Sequence, residues 1–355
     1  MAEWMLYGAN GYSGELIARE AKKRGMAPIL AGRNAQAVNR LGKELDCATR
    51  IFDLTDAAMV EQNLTGVRLV LLGAGPFSAT SQTMLEACKR TATQYLDITG
   101  EIVVLESIFQ QAPALAQVGV VAVPGVGFDV VPTDCLAALL KRELPDATRL
   151  RLVFASKKSF ISRGTMLTVI EGAGEPTRMR KDGQIVDANP KVVSLPFDDR
   201  AAPALPITWG DVSAAYYSTG IPNIETYIGT PAAIKQFQQL TRLRGLLSWG
   251  PARALAKGYY GRTLKGPNEA QRAGDETIVW GEVSNAAGRK VALKLRTPAA
   301  YSLTVDSAVT AVARLLESDL APGAYTPSLA FGPEFVLGLN GVEGPLPATV
   351  SAIGE

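Results

Sequence analysis

The chain has 355 residues, 47% of them apolar and 20% charged, with 36 basic against 34 acidic side chains and a formal net charge of +2. At roughly 100 to 200 residues per domain this length predicts two cores. The composition excludes a disordered or fibrous protein, and the near-neutral balance excludes a general field for steering toward nucleic acid.

Histidine is absent, which removes Ser-His-Asp and Cys-His nucleophile systems, His-ligated metals and imidazole acid–base chemistry. Proton transfer falls to Asp, Glu, Lys, Tyr, Cys or water. Cys47, Cys88 and Cys135 form no C-x-x-C pair, so neither a disulfide framework nor a zinc ribbon is expected, and no metal site is predicted. The start, Met-Ala-Glu-Trp-Met-Leu, carries no basic n-region, and no apolar run approaches the roughly 20 residues of a membrane span. A cytoplasmic location is the expectation.

From Trp4 to about Gly127, short apolar runs alternate with amphipathic stretches, the pattern of β-α-β units around a parallel sheet. Strands are predicted at Glu3–Gly8, Pro28–Gly32, Thr49–Asp53, Leu69–Gly73, Gln94–Asp97 and Val118–Val123. Between the first three, Leu16 and Ile17, then Val38, Leu41 and Leu45, give helices one apolar face each. After Pro132 the texture changes: a strand at Arg149–Ala155, a hairpin around Lys181-Asp182-Gly183, a strand near Ile224–Ile228, and a long hairpin, Thr277–Ser284 with Lys290–Arg296. Ser307–Leu316 reads as a helix stopped by Pro322-Gly323. The expected fold class is α/β, an N-terminal Rossmann-type doubly wound parallel sheet followed by an α+β domain on a mixed or antiparallel sheet. The expected boundaries are 1–130 for the first domain, 131–300 for the second, and 301–355 for a helix and tail returning to the first.

Gly8-Ala9-Asn10-Gly11-Tyr12-Ser13-Gly14 follows the first strand and opens the first helix. In that context the first glycine permits the turn, the second lets backbone approach a pyrophosphate, and the third allows close helix–strand packing. The spacing is G-x-x-G-x-x-G rather than G-x-G-x-x-G. At the end of the second strand, Ala31-Gly32-Arg33-Asn34 lacks the carboxylate that accepts ribose hydroxyls of NAD. The Arg33 guanidinium can instead pair with a 2′-phosphate, so NADP (NADPH) is the expected cofactor. Asp53 and Leu54 are placed at the adenine edge, and Ala74, Gly75 and Pro76 beneath the pyrophosphate and nicotinamide.

These residues, with Tyr95-Leu96-Asp97-Ile98-Thr99-Gly100-Glu101 and Pro124-Gly125-Val126-Gly127-Phe128-Asp129-Val130-Val131-Pro132-Thr133-Asp134, resemble the saccharopine dehydrogenase-like reductases, most closely the branch containing the trans-acting enoyl reductases. Ser162-Arg163-Gly164-Thr165, Ser218-Thr219-Gly220-Ile221-Pro222-Asn223 and Tyr325-Thr326-Pro327 through Phe331-Gly332 extend the likeness over most of the chain. The resemblance implies an NADP-binding first domain, a catalytic second domain with a mixed sheet, and a C-terminal helix returning to the first. It leaves the substrate open, because the family includes amine-forming, amine-oxidising and double-bond-reducing members.

Hydride transfer needs positioning and one proton source. Without histidine the candidates are Glu101, Asp129, Tyr216, Tyr217 or water, with Thr99 and Gly100 on the cofactor side of the same loops. For Asp129 the competing role is a cap on the helix starting near Pro132; for Glu101 it is a first-turn carboxylate facing a helix dipole. The expected reaction is reduction of an activated acyl C=C bond, with imine reduction or amine oxidation, or a non-catalytic NADP(H) sensor, as alternatives. Between Glu225 and Glu269 there is no acidic side chain, while Lys235, Arg242, Arg244, Arg253, Lys257, Arg262 and Lys265 are present. Residues 230–265 are thus either a solvated helix face or a docking surface for an acyl-carrier protein or a membrane surface. The sequence is compatible with a homodimer and specifies none.

Overall fold

The computed structural model describes residues 4–156, 176–188, 191–197, 200–231, 234–235, 249–263, 268–269 and 274–351. The chain divides into two compact units, Met1–Val131 with Tyr301–Phe335, and Pro132–Ala300 with Val336–Glu355.

The first unit begins with β1 (Trp4–Tyr7), α1 (Tyr12–Lys23), β2 (Ile29–Gly32), α2 (Ala35–Leu45), β3 (Thr49–Ile51), α3 (Ala57–Leu64), β4 (Leu69–Leu72), α4 (Phe77–Thr91), β5 (Gln94–Asp97), α5 (Ile102–Gln110), α6 (Ala112–Gln117) and β6 (Val121–Val123). The central strands are apolar along their whole length: every residue of β1, β2 and β4 is buried. Unbroken apolar runs are what a parallel sheet covered on both faces demands. Side chains start the helices between them. The Asn34 carbonyl accepts the Ala37 N–H at 3.0 Å, and an Asp56 carboxylate oxygen accepts that of Met59 at 3.1 Å. The sixth strand starts three residues later than the apolar run suggests. Val118, Gly119 and Val120 instead close α6, their N–H groups bonding back to Leu115 and Ala116, with Gly119 at a φ of 76°.

The second unit contains α7 (Val131–Glu143), β7 (Arg149–Ser156), β8 (Thr177–Lys181), β9 (Gln184–Ala188), β10 (Val193–Leu195), β11 (Ala202–Pro206), α8 (Asp211–Thr219), β12 (Asn223–Ile228), α9 (Gly250–Thr263), β13 (Glu276–Ser284) and β14 (Lys290–Pro298). The chain then forms α10 (Ala300–Glu317), β15 (Gly323–Ala324), α11 (Pro327–Phe331), a 3₁₀ turn at Pro333–Gly338 and β16 (Glu343–Pro347). The first sheet is parallel throughout, in the order β15-β6-β5-β4-β1-β2-β3. The second runs β10-β11-β12-β7-β13-β14-β16, with β8 on β12 and β9 on β8. It is mixed, because β12 and β7 pair in parallel while their other neighbours are antiparallel. The expected hairpin is β8–β9, turning through Asp182 and Gly183, both at positive φ.

The C-terminal segment divides between the units. α10 starts at Ala300, seven residues before the predicted helix, because its small and polar first turns still pack. The Thr304 hydroxyl accepts the Phe128 N–H at 3.0 Å, and the Ser307 hydroxyl donates to the Val126 carbonyl at 2.8 Å. Residues 336–355, expected with the first domain, belong to the second unit. There β16 pairs with β14, the Trp280 indole donates to the Thr349 carbonyl, and the Ser351 hydroxyl donates to Glu282 at 2.7 Å. The division by contacts thus splits the 301–355 segment after Phe335. Among the described residues no helix is long and apolar enough to cross a membrane.

Candidate functional site

The glycine turn joins β1 to α1, and its three glycines answer to different neighbours. The Gly8 and Ala9 N–H groups both donate to the Ala31 carbonyl, at 2.8 and 3.1 Å, which fixes the turn against β2. Gly8 has a φ of 86°, and a Cβ there would lie 2.8 Å from the Ala74 nitrogen; one at Gly14 would lie 2.2 Å from the Gly8 carbonyl oxygen. Both glycines are therefore dictated by the packing of strand, helix and neighbouring loop. Gly11 is not. It is exposed, in extended backbone, and its Cβ would meet only the Gly8 oxygen, at 3.2 Å. Gly11 is also the N-cap of α1, which no side chain caps. A Cβ at Gly11 would crowd that one backbone oxygen rather than the core, so the start of α1 is left without a side chain over it, as a pyrophosphate site requires. Asn10 is exposed beside it, with Gly32 leaving room for its side-chain oxygen. Tyr12 packs edge-on against Tyr301, ring centres 5.0 Å apart, while Ser13 is half-buried in the first turn.

At the end of β2, Arg33 is exposed and makes no hydrogen bond or ion pair with the described residues. Its charge is felt by Asp53, whose carboxylate is held below its usual range, first by the Thr55 N–H at 2.9 Å and then by the Thr55 hydroxyl. Asn34 serves α2 as its cap. Leu54 is buried in the core beneath. The Tyr7 hydroxyl donates to the Phe52 carbonyl at 3.0 Å, and burial pushes it up to about 12, so it stays protonated and silent in acid–base work.

Three further loops leave the carboxyl ends of β4, β5 and β6. In the first, Ala74 packs on the core while Gly75 and Pro76 are exposed. The second and third are tied together by Asp97, which the sequence placed among the strand-end site candidates without assigning it a role. Its side chain accepts the Tyr95 hydroxyl at 2.6 Å and the N–H groups of Thr99 and Gly125 at 2.9 and 2.8 Å, and its backbone carbonyl accepts that of Val126. Burial raises its pKa to about 6, against the pull of these donors. Buried Thr99 in turn accepts the Glu101 N–H with its hydroxyl.

Glu101 is committed elsewhere. Its two oxygens accept the N–H groups of Phe77 and Ser78, at 2.7 and 2.9 Å, the first turn of α4. It caps a neighbouring helix rather than facing its own. Asp129 does not cap α7: its carboxyl makes no hydrogen bond with the described residues and is half-buried against Gly100. A Cβ at Gly100 would lie 2.8 Å from the Asp129 Cβ and 3.0 Å from its Oδ2. Burial alone pushes the Asp129 carboxyl up to about 7.

The glycine turn, Arg33, Asp97, Glu101 and Asp129 all lie in the first unit, whereas Tyr216 and Tyr217 belong to the second. There the Arg180 guanidinium lies 4.1 Å from the centre of the Tyr216 ring. Of the basic stretch, Arg242, Arg244 and Lys265 lie outside the described residues, as do Ser162 to Thr165. The described part of α9 and its approach expose Trp249, Leu255 and Tyr259. A cleft of about 550 Å³ in the first unit is lined by Arg24, Met26 and Arg68 with the outer face of α10. It lies at the amino ends of the strands, away from the glycine turn. Its arginines are engaged, Arg24 by Glu20 and Asp306 and Arg68 by the Leu316 carbonyl. Among the described residues no group of three or more Cys, Asp or Glu could hold a metal ion.

No protein-family model matches the chain. It is 30% identical over 155 residues to the trans-acting enoyl reductase of Mycobacterium ulcerans and 31% over 153 residues to that of Mycobacterium leprae. Each match covers 41% of this chain and 37% of the relative, so well under half of either relative's length is spanned. The saccharopine dehydrogenase-like oxidoreductase of Bos taurus is 23% identical over 203 residues, 50% of this chain and 47% of that one. Among solved structures, apo saccharopine dehydrogenase (L-Glu forming) from Saccharomyces cerevisiae superposes with a TM-score of 0.60 over 94% of this chain and 95% of that one, at 13% identity. That likeness shows a shared fold.

Proposed function

We propose that this chain, which resembles the saccharopine dehydrogenase-like reductases in sequence and shares the fold of saccharopine dehydrogenase, is an NADP(H)-dependent oxidoreductase that reduces the activated C=C bond of an acyl substrate. The observation that carries the reading is a pair of features in the first unit. Gly11 leaves a helix start without a side chain over it, and Arg33 stands exposed and bonded to no described group at the end of β2, where a 2′-phosphate would lie. Gly8, Gly11 and the first turn of α1 would hold the pyrophosphate, Arg33 the 2′-phosphate, and Asp53 with Leu54 the adenosine edge. When bound, NADPH supplies a hydride. The chain's own part is to bind and orient the dinucleotide, and to move a proton from a loop at the carboxyl end of β5 or β6. The choice of an acyl C=C bond follows the named activity of the mycobacterial relatives.

The test is oxidation of NADPH, followed by absorbance, against 2-enoyl thioesters and against keto acids paired with amines. Turnover on the enoyl thioesters alone is expected. Turnover on the keto acid and amine pairs alone would replace the substrate class, and none on either would return the chain to a binding role.

A further inference from the structure

We propose that Asp129 is the proton donor of this site, its carboxyl protonating the α-carbon of an enoyl thioester as the β-carbon accepts the hydride. The inference rests on the oxidoreductase reading above. The balance is complete: the C=C π bond breaks, a C–H bond forms at each carbon, both electrons arrive with the hydride of NADPH, and the Asp129 carboxylate recovers its proton from water.

Elimination and geometry carry the assignment together. Both Glu101 oxygens are occupied by the first turn of α4. The Asp97 carboxylate is held by Tyr95, Thr99 and Gly125. Asp129 is the carboxyl of these loops that no described group engages, although it stands on a tightly fixed frame. Gly125 and Val126 are bonded to Asp97, Phe128 to Thr304, and the Val130 and Val131 N–H groups to the Gly127 carbonyl. A rigid backbone presenting one uncommitted acid is the arrangement a positioned proton donor needs. Gly100 contributes by lacking a side chain where the carboxyl lies.

The surroundings keep that acid protonated near neutrality. The charged groups nearby include Asp97 and Glu101 on the β5–α5 loop, Asp134 in the first turn of α7 and Asp306 on α10, and Asp306 is paired with Arg24. No described cation pairs with Asp129, and burial without a counter-charge favours the neutral carboxyl.

The experiment has two arms. In the first, infrared difference titration of the cofactor-free protein against Asp129→Asn reads the carboxyl directly. A protonated C=O band titrating near pH 7 is expected, and a band lost below pH 5 would overturn the assignment, whether or not any substrate is known. In the second, Asp129→Asn is expected to bind NADPH within about threefold of the unaltered protein by calorimetry. Its turnover of an enoyl thioester should fall by at least about 100-fold, with the decline of kcat above pH 7 abolished. Wild-type turnover in the variant would overturn the proposal. Unaltered protein that fails to bind NADPH would refute the oxidoreductase reading instead, and the titration arm keeps the two failures apart. Should Asp129→Asn not fold, Asp129→Ser, which likewise lacks the carboxyl, takes its place in both arms.

Discussion

On the proposed reading, Arg33 would decide between the two nicotinamide dinucleotides through one charge-assisted contact. It is exposed, unbonded, and placed where a helix start disfavours a cation that has no anionic partner. Arg33→Ala is expected to weaken NADPH binding by about 1.5 to 3 kcal/mol while leaving NADH nearly unchanged. Calorimetry giving equal affinities for both dinucleotides in the unaltered protein would remove the 2′-phosphate from Arg33. Gly11 and Gly14 separate binding from folding at the same scale. Gly11→Val meets only one backbone oxygen within the protein and should keep its circular dichroism while losing dinucleotide binding. Gly14→Ala drives a methyl into the Gly8 carbonyl at 2.2 Å and should destabilise the fold itself, by about 1 to 3 kcal/mol in urea titrations. Identical behaviour of the two variants would contradict this division.

The element that draws on distant sequence most directly is α4. Its N-cap is Pro76, its first turn carries no acidic residue, and no side chain of its own caps it. Four orphan N–H groups at a helix start need partners, and Glu101, twenty-four positions later, supplies them to two. The contact simultaneously locks the start of α4 to the β5–α5 loop, both at the carboxyl ends of the strands. Glu101→Gln keeps one acceptor and loses the charge and the second acceptor, so a cost of about 0.5 to 2 kcal/mol is expected. Denaturant unfolding measures it; a variant of unchanged stability with abolished proton transfer would make Glu101 catalytic after all.

For the whole molecule, the two raised carboxyls set a pH dependence whose sign is fixed. Asp97 near 6 and Asp129 near 7 stay protonated in the folded protein over a range in which the unfolded chain, at about 4, releases both protons. The folded state therefore binds more protons between about pH 4 and 7, and by linkage their contribution lowers stability as pH rises through that window. Asp129→Asn removes its share, and is expected to raise stability at pH 8 by about 1 to 3 kcal/mol while changing little at pH 4. Melting temperatures of the two proteins at both pH values test this, and a difference between them that is the same at pH 4 and pH 8 would show that Asp129 ionises normally.

The amino-acid sequence by itself determined the parallel sheet, the mixed second sheet, the turn at Gly8 to Gly14 and the place of Arg33. Each of these is encoded locally, by apolar runs of strand length, by glycine spacing next to a strand, or by the residue ending one. Only the tertiary structure decided that Glu101 caps α4, that Asp97 ties two loops, that Asp129 is bonded to no described group, and that the final strand joins the second sheet. These outcomes depend on which orphan N–H group or open strand edge lies within about 3 Å of a given side chain or strand, and backbone and carboxylate groups find such partners across tens of residues of chain without leaving a periodic trace in the sequence.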